Sequence, residues 1–388
     1  MDDAYPLPRR RTRAVQAGSL TIGGGAPVSV QSMTKTPTAD VAATAAQIRA
    51  LAEAGCDLVR VAVPDTRAAR ALGAIVRESP IPVAADIHFN HRLALVALEQ
   101  GVHKLRLNPG NLKHPEHVRA VAEEAKACGV PIRVGVNNGS IDPELRAQFP
   151  FTHHGNARAL VESALGHIRL LEDVGFTDIV VSLKASDVIT TVLAYRLMAD
   201  TRPYPLHVGV TEAGLPPEGL VKSAAGIGQL LGEGIGDTVR VSLTADPVEE
   251  VEAGWHLLRA LELREGGITL TACPTCARCD IDFDPLIRRV KVRLEALDRQ
   301  LRAAGCSLRV AVMGCEVNGP GEARDADVGL AAGRENGLLF LGGQPLRKVP
   351  EAEIVDAFVH EVEQAARACL VGKIKRNSEH KDWTIEKD

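Results

Sequence analysis

The chain has 388 residues, more than one hydrophobic core ordinarily serves, so its length implies two domains. Hydrophobic residues make up 45%, charged residues 24% and aromatics only 3%, with a formal charge of -4; this balance excludes a polybasic or aromatic-rich nucleic-acid binder. No apolar run approaches the roughly 20 residues of a membrane span, and the basic cluster Arg9-Arg10-Arg11-Thr12-Arg13 runs into Ala14-Val15-Gln16-Ala17-Gly18, not a signal-peptide core, so a cytoplasmic protein is expected.

From residue 28 to 260 one unit recurs: a β-branched run, a polar loop, then an Ala- and Leu-rich segment of helical period. The predicted strands are 28–33, 57–63, 82–88, 104–108, 131–137, 178–184, 205–210 and 237–243. Helix starts are signalled by Asp40, Asp65, Asn90, Pro115, Asn156, Asp187, Pro217 and Asp246-Pro247, and helix ends by Gly55, Gly101, Gly129, Gly175 and Gly234. Eight such units make an α/β fold, a (β/α)8 TIM barrel, over residues 1–264. An open doubly wound sheet would need Gly-x-Gly-x-x-Gly after the first strand. Gly23-Gly24-Gly25 instead precedes that strand, has no Lys-Ser/Thr successor, and reads as a plain turn, and Gly226-Ile227-Gly228 carries no signal.

In a TIM barrel the chemistry gathers at the carboxyl ends of the strands. Here those ends carry Arg60, Asp86, His88, Arg106, Asn108, Arg133, Asn137, Lys184, Glu212, Arg240 and Ser242. Charge within apolar strands is costly unless paired, so four arginines and a lysine converging on one mouth imply a bound polyanion such as a phosphate or diphosphate. The competing reading pairs some of them with Asp57, Asp86 or Glu212 as structural ion pairs. His88 taken alone reads as a structural histidine and is left outside the candidate site.

After Leu261 the pattern changes. A strand at 268–272, a long amphipathic helix at 285–304, strands near 308–313, 328–331 and 338–341, and a helix at 351–370 predict a smaller α+β domain over residues 265–372. The mixed-charge stretch 373–388 reads as a disordered tail. Of the eight cysteines, four cluster in Cys273-Pro274-Thr275-Cys276-Ala277-Arg278-Cys279 and Gly314-Cys315. Thiolates at this spacing suit zinc or an iron–sulfur cluster, and spacing alone does not separate the two. A closed zinc site would use Cys273, Cys276 and Cys315 with Cys279 or Cys306. The loop Asn318-Gly319-Pro320-Gly321-Glu322 offers a carboxylate instead of a second thiol or histidine pair, which favours an open, catalytic metal. Cys56, Cys128 and Cys369 read as ordinary thiols.

Several motifs together resemble the bacterial 4-hydroxy-3-methylbut-2-enyl diphosphate synthase family: Val30-Gln31-Ser32-Met33-Thr34, Ala85-Asp86-Ile87-His88-Phe89, Leu107-Asn108-Pro109-Gly110-Asn111, Lys184-Ala185-Ser186-Asp187, Thr211-Glu212-Ala213-Gly214, Gly234-Ile235-Gly236-Asp237-Thr238, Cys273-Pro274-Thr275-Cys276 and Asn318-Gly319-Pro320-Gly321-Glu322. The resemblance spans about residues 9 to 370. It implies a 4Fe-4S cluster on Cys273, Cys276, Cys315 and Glu322, and a diphosphate gripped by Arg60, Arg106, Arg133, Lys184, Arg240 and Ser242, with Asp86 and Asn137 nearby. Glu212 matches the carboxylate credited with proton transfer. The implied reaction is the two-electron reductive opening and dehydration of 2-C-methyl-D-erythritol 2,4-cyclodiphosphate, in the methylerythritol phosphate route to isoprenoids. Flavodoxin or ferredoxin would supply the electrons, and the family precedent is a head-to-tail homodimer. Cys279 departs from many relatives. Two other classes fit the sequence less well. A radical S-adenosylmethionine barrel would carry its thiols after the first strand, not the eighth, and a zinc-stabilised or electron-carrier protein leaves the cationic mouth unexplained.

Overall fold

The computed structural model describes residues 8–112, 114–279, 281–315, 319–372, 374–376 and 383–385. The chain divides into two compact units, Met1–Arg264 and Glu265–Asp388. No helix among the described residues is long and apolar enough to cross a membrane.

The first unit opens with a hairpin, β1 (Val15–Ala17) and β2 (Leu20–Ile22). It continues β3 (Ser29–Met33), α1 (Val41–Glu53), β4 (Leu58–Val63), α2 (Thr66–Glu78), β5 (Val83–Ile87), α3 (His91–Glu99), β6 (Lys104–Leu107) and α4 (Pro115–Cys128). Then follow β7 (Ile132–Asn137), α5 (Pro143–Ala147), α6 (His153–Asp173), β8 (Ile179–Lys184), α7 (Val188–Thr201), β9 (His207–Val208), α8 (Glu218–Gly232), β10 (Thr238–Val239) and α9 (Pro247–Ala260). Strands β3 to β10 form one parallel eight-stranded sheet in the order β8-β7-β6-β5-β4-β3-β10-β9. A bridge between Val181 and Leu206 closes it into a ring, so the predicted barrel is present.

Local chemistry explains most boundaries. Asp40, Asp65, Asn90, Asp187 and Asp246 each accept a backbone N–H of the first helical turn they precede. Helix α6 departs from expectation: it starts at His153, not near Asn156, because Thr152 Oγ1 accepts the Gly155 N–H at 3.1 Å and caps it earlier. Strands β9 and β10 are two residues each, far shorter than expected. Side chains and loops take over their ladder, with Asp237 Oδ2 accepting the Leu206 N–H and Glu250 Oε1 the Leu243 N–H.

The hairpin was not anticipated. Its two-residue Gly18-Ser19 connection needs a positive φ at Gly18 (60°), where a Cβ would also lie 2.5 Å from the His103 ring. Val15, Ala17 and Ile22 pack on Leu58, Ala84 and Val180 near the starts of β4, β5 and β8, closing the amino-terminal end with apolar side chains. The charged residues of the interior lie above these apolar side chains.

The second unit contains β11 (Gly267–Ala272), α10 (Phe283–Ala303), β12 (Ser307–Met313), α11 (Gly319–Arg324), β13 (Val328–Ala332), β14 (Asn336–Leu341), β15 (Gln344–Pro350), α12 (Ile354–Leu370), β16 (Ile374–Arg376) and β17 (Trp383–Ile385). Strands β11, β12 and β13 run parallel and β14 and β15 antiparallel, in sequential order. Helices α10 and α12 bury Val290, Leu294, Phe358 and Val362 against the sheet, while Ala323 of α11 packs with Ala331 and Phe340. Strand β15 escaped the sequence reading: it is an exposed edge in which Pro345, Arg347 and Lys348 replace the apolar alternation that marks a strand. Within the stretch expected to be a tail, β16 pairs antiparallel with β17. Residues 373, 377–382 and 386–388 of that stretch lie outside the described residues.

Candidate active site

Strand alternation sends every second side chain into the barrel, and in this chain those positions are charged. Asp86 on β5 is 3% exposed and sits between two guanidiniums, with Arg106 Nη1 at 3.0 Å and Arg60 Nε at 3.6 Å. Burial would raise its pKa, but Arg60, a hydrogen bond from His88 and Arg106 outweigh it and hold the carboxyl well below the ordinary carboxylate range. Arg60 also directs Nη2 at Met33 Sδ (2.8 Å), and burial, opposed by Asp86, lowers its pKa to about 10. Arg106 donates a second bond to the Gly135 carbonyl at 3.0 Å. Gly135 is required there, since a Cβ would lie 2.8 Å from Arg106 Nε.

The remaining cations find few anions. Arg240 Nη2 reaches Glu250 Oε2 at 3.3 Å; that carboxylate, from α9, also accepts the Ser32 hydroxyl at 3.1 Å. Lys184 ends β8, is 7% exposed, and lies with Nζ 3.3 Å from His207 Nε2. Burial first, then Arg133 and Arg240, push its pKa well below the ordinary lysine value. Arg133, 2% exposed, is pushed down by burial and by Arg60 and Arg106. Of the structural pairings weighed from sequence, Asp86 pairs as expected. Asp57 instead binds Arg264 at 3.0 Å, and Glu212 is exposed in the loop after β9.

Thus Arg60, Asp86, Arg106, Arg133, Lys184 and Arg240 share the barrel interior, with Asn137 ending β7 and Ser242 half-buried beyond β10. Glu212 has a left-handed backbone (φ 52°), a strained conformation for a glutamate.

Lys104, His207 and Glu250 were not among the candidates, and His88, set aside as a structural histidine, borders the site. His88 accepts from Asn111 through Nδ1 (2.8 Å), and its Nε2 lies 3.1 Å from Arg106 Nη1 and 3.4 Å from Asp86 Oδ1. Its place two residues after Asp86 was the available signal. Lys104 and His207 share the inward register of Arg106 and Lys184, and the same period-2 argument would have found them. Glu250 comes from a helix, and nothing in the sequence ties it to Arg240.

In the second unit, Cys273 directly follows β11 and Cys315 lies just beyond β12, so adjacent parallel strands deliver both thiols to one sheet end; the Cys273 N–H still donates to Val312. Thr275 N–H donates to Cys273 Sγ at 3.2 Å, Cys279 N–H donates to the Cys276 carbonyl, and a Cβ on Gly314 would lie 2.8 Å from Cys279 Sγ. Cys306 precedes the opposite end of β12, about 20 Å away at the usual rise per residue, so it does not belong with them. Among the described residues no three Cys, His, Asp or Glu side chains are gathered to hold a metal. Glu322 stands in α11, but its side chain, like residues 316–318, lies outside the described residues.

A family model described as the GcpE TIM-barrel domain matches residues 12–255, and one described as the GcpE protein C-terminal domain matches residues 269–364. The chain belongs to the GcpE family. The two GcpE matches fall on either side of the boundary between the compact units. Similar proteins include 4-hydroxy-3-methylbut-2-en-1-yl diphosphate synthase (flavodoxin) of Geobacter sulfurreducens, 55% identical over 92% of this chain and 98% of its own length. Proteins of that name from Dehalococcoides mccartyi (51%; 92% and 99%) and Magnetococcus marinus (49%; 96% and 98%) match comparably.

Proposed function

We propose that this chain is a 4-hydroxy-3-methylbut-2-en-1-yl diphosphate synthase that acts in the cytoplasm and takes its electrons from flavodoxin, with ferredoxin as the alternative donor. The observation that carries this reading is the imbalance inside the barrel. Among the described residues the basic side chains Arg60, Lys104, Arg106, Arg133, Lys184 and Arg240 line it, and Asp86 and Glu250 are the carboxylates that pair with them. A polyanion of diphosphate size corrects that imbalance, and 2-C-methyl-D-erythritol 2,4-cyclodiphosphate is the substrate that the family resemblance implies.

Arg60, Arg106, Arg133, Lys184, Arg240 and Ser242 bind the diphosphate oxygens. Asp86 keeps two of the guanidiniums in register, and Asn137 borders the site. Opening the ring to the allylic diphosphate consumes two electrons and a proton and releases water. Glu212, exposed at the carboxyl end of the barrel, is the group to move the proton. A 4Fe-4S cluster on Cys273, Cys276, Cys315 and Glu322 would supply the electrons. The donors fit: soft thiols on adjacent strand ends, with a backbone N–H already directed at Cys273 Sγ. Two chains arranged head to tail form the working assembly.

The test is anaerobic purification of the full chain, iron and acid-labile sulfide analysis, and turnover of the cyclic diphosphate with reduced flavodoxin. About four iron and four sulfide per chain, with formation of the linear diphosphate, is the expected result. Zinc in place of iron, or iron-loaded protein that leaves the substrate unchanged, overturns it.

A further inference from the structure

Beneath the residues assigned to the diphosphate lies a second layer that this role does not use. Lys104, at the start of β6, is 1% exposed, and its Nζ has no hydrogen-bond partner among the described residues. His207, on β9, is fully buried between Lys184 Nζ and Thr238 Oγ1, at 3.3 and 3.4 Å. The side chains below them, Val15, Ala17 and Ile22 of the hairpin, are apolar and offer no counter-charge. The charged groups bearing on Lys104 are Arg133 from β7 and Arg60 from β4; those bearing on His207 are Lys184, Arg133, Lys104 and Arg60. All are cationic. Asp86 is already engaged by Arg60, Arg106 and His88, and Asp237, beside His207, by Thr12 and the Leu206 N–H.

We propose that Lys104 and His207 form a proton-accepting floor under the anion site, so that entry of a diphosphate is accompanied by proton uptake, chiefly at Lys104. This rests on the barrel being the diphosphate site, as argued above. Arginine does not give up its proton in proteins, so an excess of buried cations is relieved at lysine and histidine. Burial, then Arg133 and Arg60, push Lys104 well below the ordinary lysine value, and burial with Lys184 does the same for His207. A diphosphate reverses the sign of the surrounding field and returns Lys104 toward its ordinary value. The sign follows: a group whose pKa rises on binding takes up a proton between its free and bound values, and affinity falls as pH rises through that window. Lys104 is thus a positioning residue that acts through the charge balance of the site.

The test is titration calorimetry of the full chain with inorganic pyrophosphate, in buffers of different ionisation enthalpy, for the parent and Lys104→Met. Pyrophosphate's own ionisation is common to both proteins, so the difference in protons bound at saturation belongs to the chain. Uptake lower by roughly one proton in Lys104→Met, with a pH dependence of affinity flatter by up to about tenfold per pH unit, is expected. Equal proton uptake in the two proteins overturns the proposal while leaving the anion site intact. Failure of pyrophosphate to bind the parent overturns the functional reading itself. Should Lys104→Met not fold, Lys104→Gln, which keeps a polar end without a titrating amine, carries the same comparison.

Discussion

Replacing Asp86 by Asn keeps the shape of the side chain and removes the one interior carboxylate that two arginines share. In the parent, Arg106 Nη1 lies 3.0 Å and Arg60 Nε 3.6 Å from its oxygens, with Asp86 3% exposed. Removing one partner of a buried ion pair costs roughly 3–5 kcal/mol, because the remaining charge stays buried. Arg106 keeps the Gly135 carbonyl and Arg60 keeps Met33 Sδ, so the lower end, about 3 kcal/mol, is expected for Asp86→Asn. At roughly 2–4 °C per kcal/mol for a unit of this size, the barrel should melt about 6–12 °C earlier. The two compact units need not melt together, so the assay follows Trp255, buried in the barrel unit, by fluorescence in a Trp383→Phe background.

The pH dependence provides a second constraint. The folded-state pKa of Asp86 is depressed, so its contribution is fully present above the unfolded carboxyl value of about 3.9 and is lost as pH falls through the folded value. Parent and variant should therefore differ by a constant amount from about pH 5 to 8 and converge only in stronger acid. A melting point within about 2 °C of the parent at neutral pH, or a gap that widens from pH 7 to 3, would refute the account of Asp86 as the interior counter-ion.

Lys184→Ala and Arg106→Ala should each remove a charge-assisted bond of roughly 1.5–3 kcal/mol and weaken pyrophosphate binding about 10- to 150-fold, measured by calorimetry. Gly135→Ala should displace the Arg106 side chain, raising KM for the cyclic diphosphate while circular dichroism shows the fold retained. Cys273→Ser, Cys276→Ser and Cys315→Ser should abolish iron incorporation and turnover, whereas Cys279→Ser, whose thiol packs on Gly314, should retain most of both; visible absorbance and iron analysis decide.

How far the fold could be read from the sequence depended on the kind of signal. Barrel strands with β-branched runs and Asp or Asn caps were legible because each rule acts locally: Asp65, Asn90 and Asp187 are capping residues both in the pattern and in space. The hairpin that closes the barrel is three residues per strand, too short for periodicity, and β15 is an exposed edge without alternation. In the site, Arg60, Arg106 and Arg133 stood out as charge inside apolar strands. Which of the candidate carboxylates each would meet did not, because pairing is decided by register and helix packing. Asp57 and Asp86 are equally acidic in the sequence, yet one meets Arg264 and the other Arg60 and Arg106. Lys104 was passed over because it opens its strand, where a lysine usually reaches solvent. Here the hairpin lies beneath that end of the barrel and keeps water from it.

This arrangement sets how strongly the site is driven to bind an anion. Apolar side chains close the floor and helices cover the outside, so the interior charges act through a medium far less polarisable than water. Each cation there raises the free energy of the empty barrel, as the lowered pKa of Arg60, Lys104, Arg133 and Lys184 indicates. On the proposed function, a bound diphosphate would relieve several of these at once, which a neutral ligand or a single carboxylate would not. The same residues that weaken the empty barrel would then give the filled one a preference for a doubly phosphorylated ligand. Selectivity for diphosphate over monophosphate should grow with the number of these cations retained. Removing them singly should erode that ratio before it abolishes binding, whereas a site built on one dominant contact would lose both together.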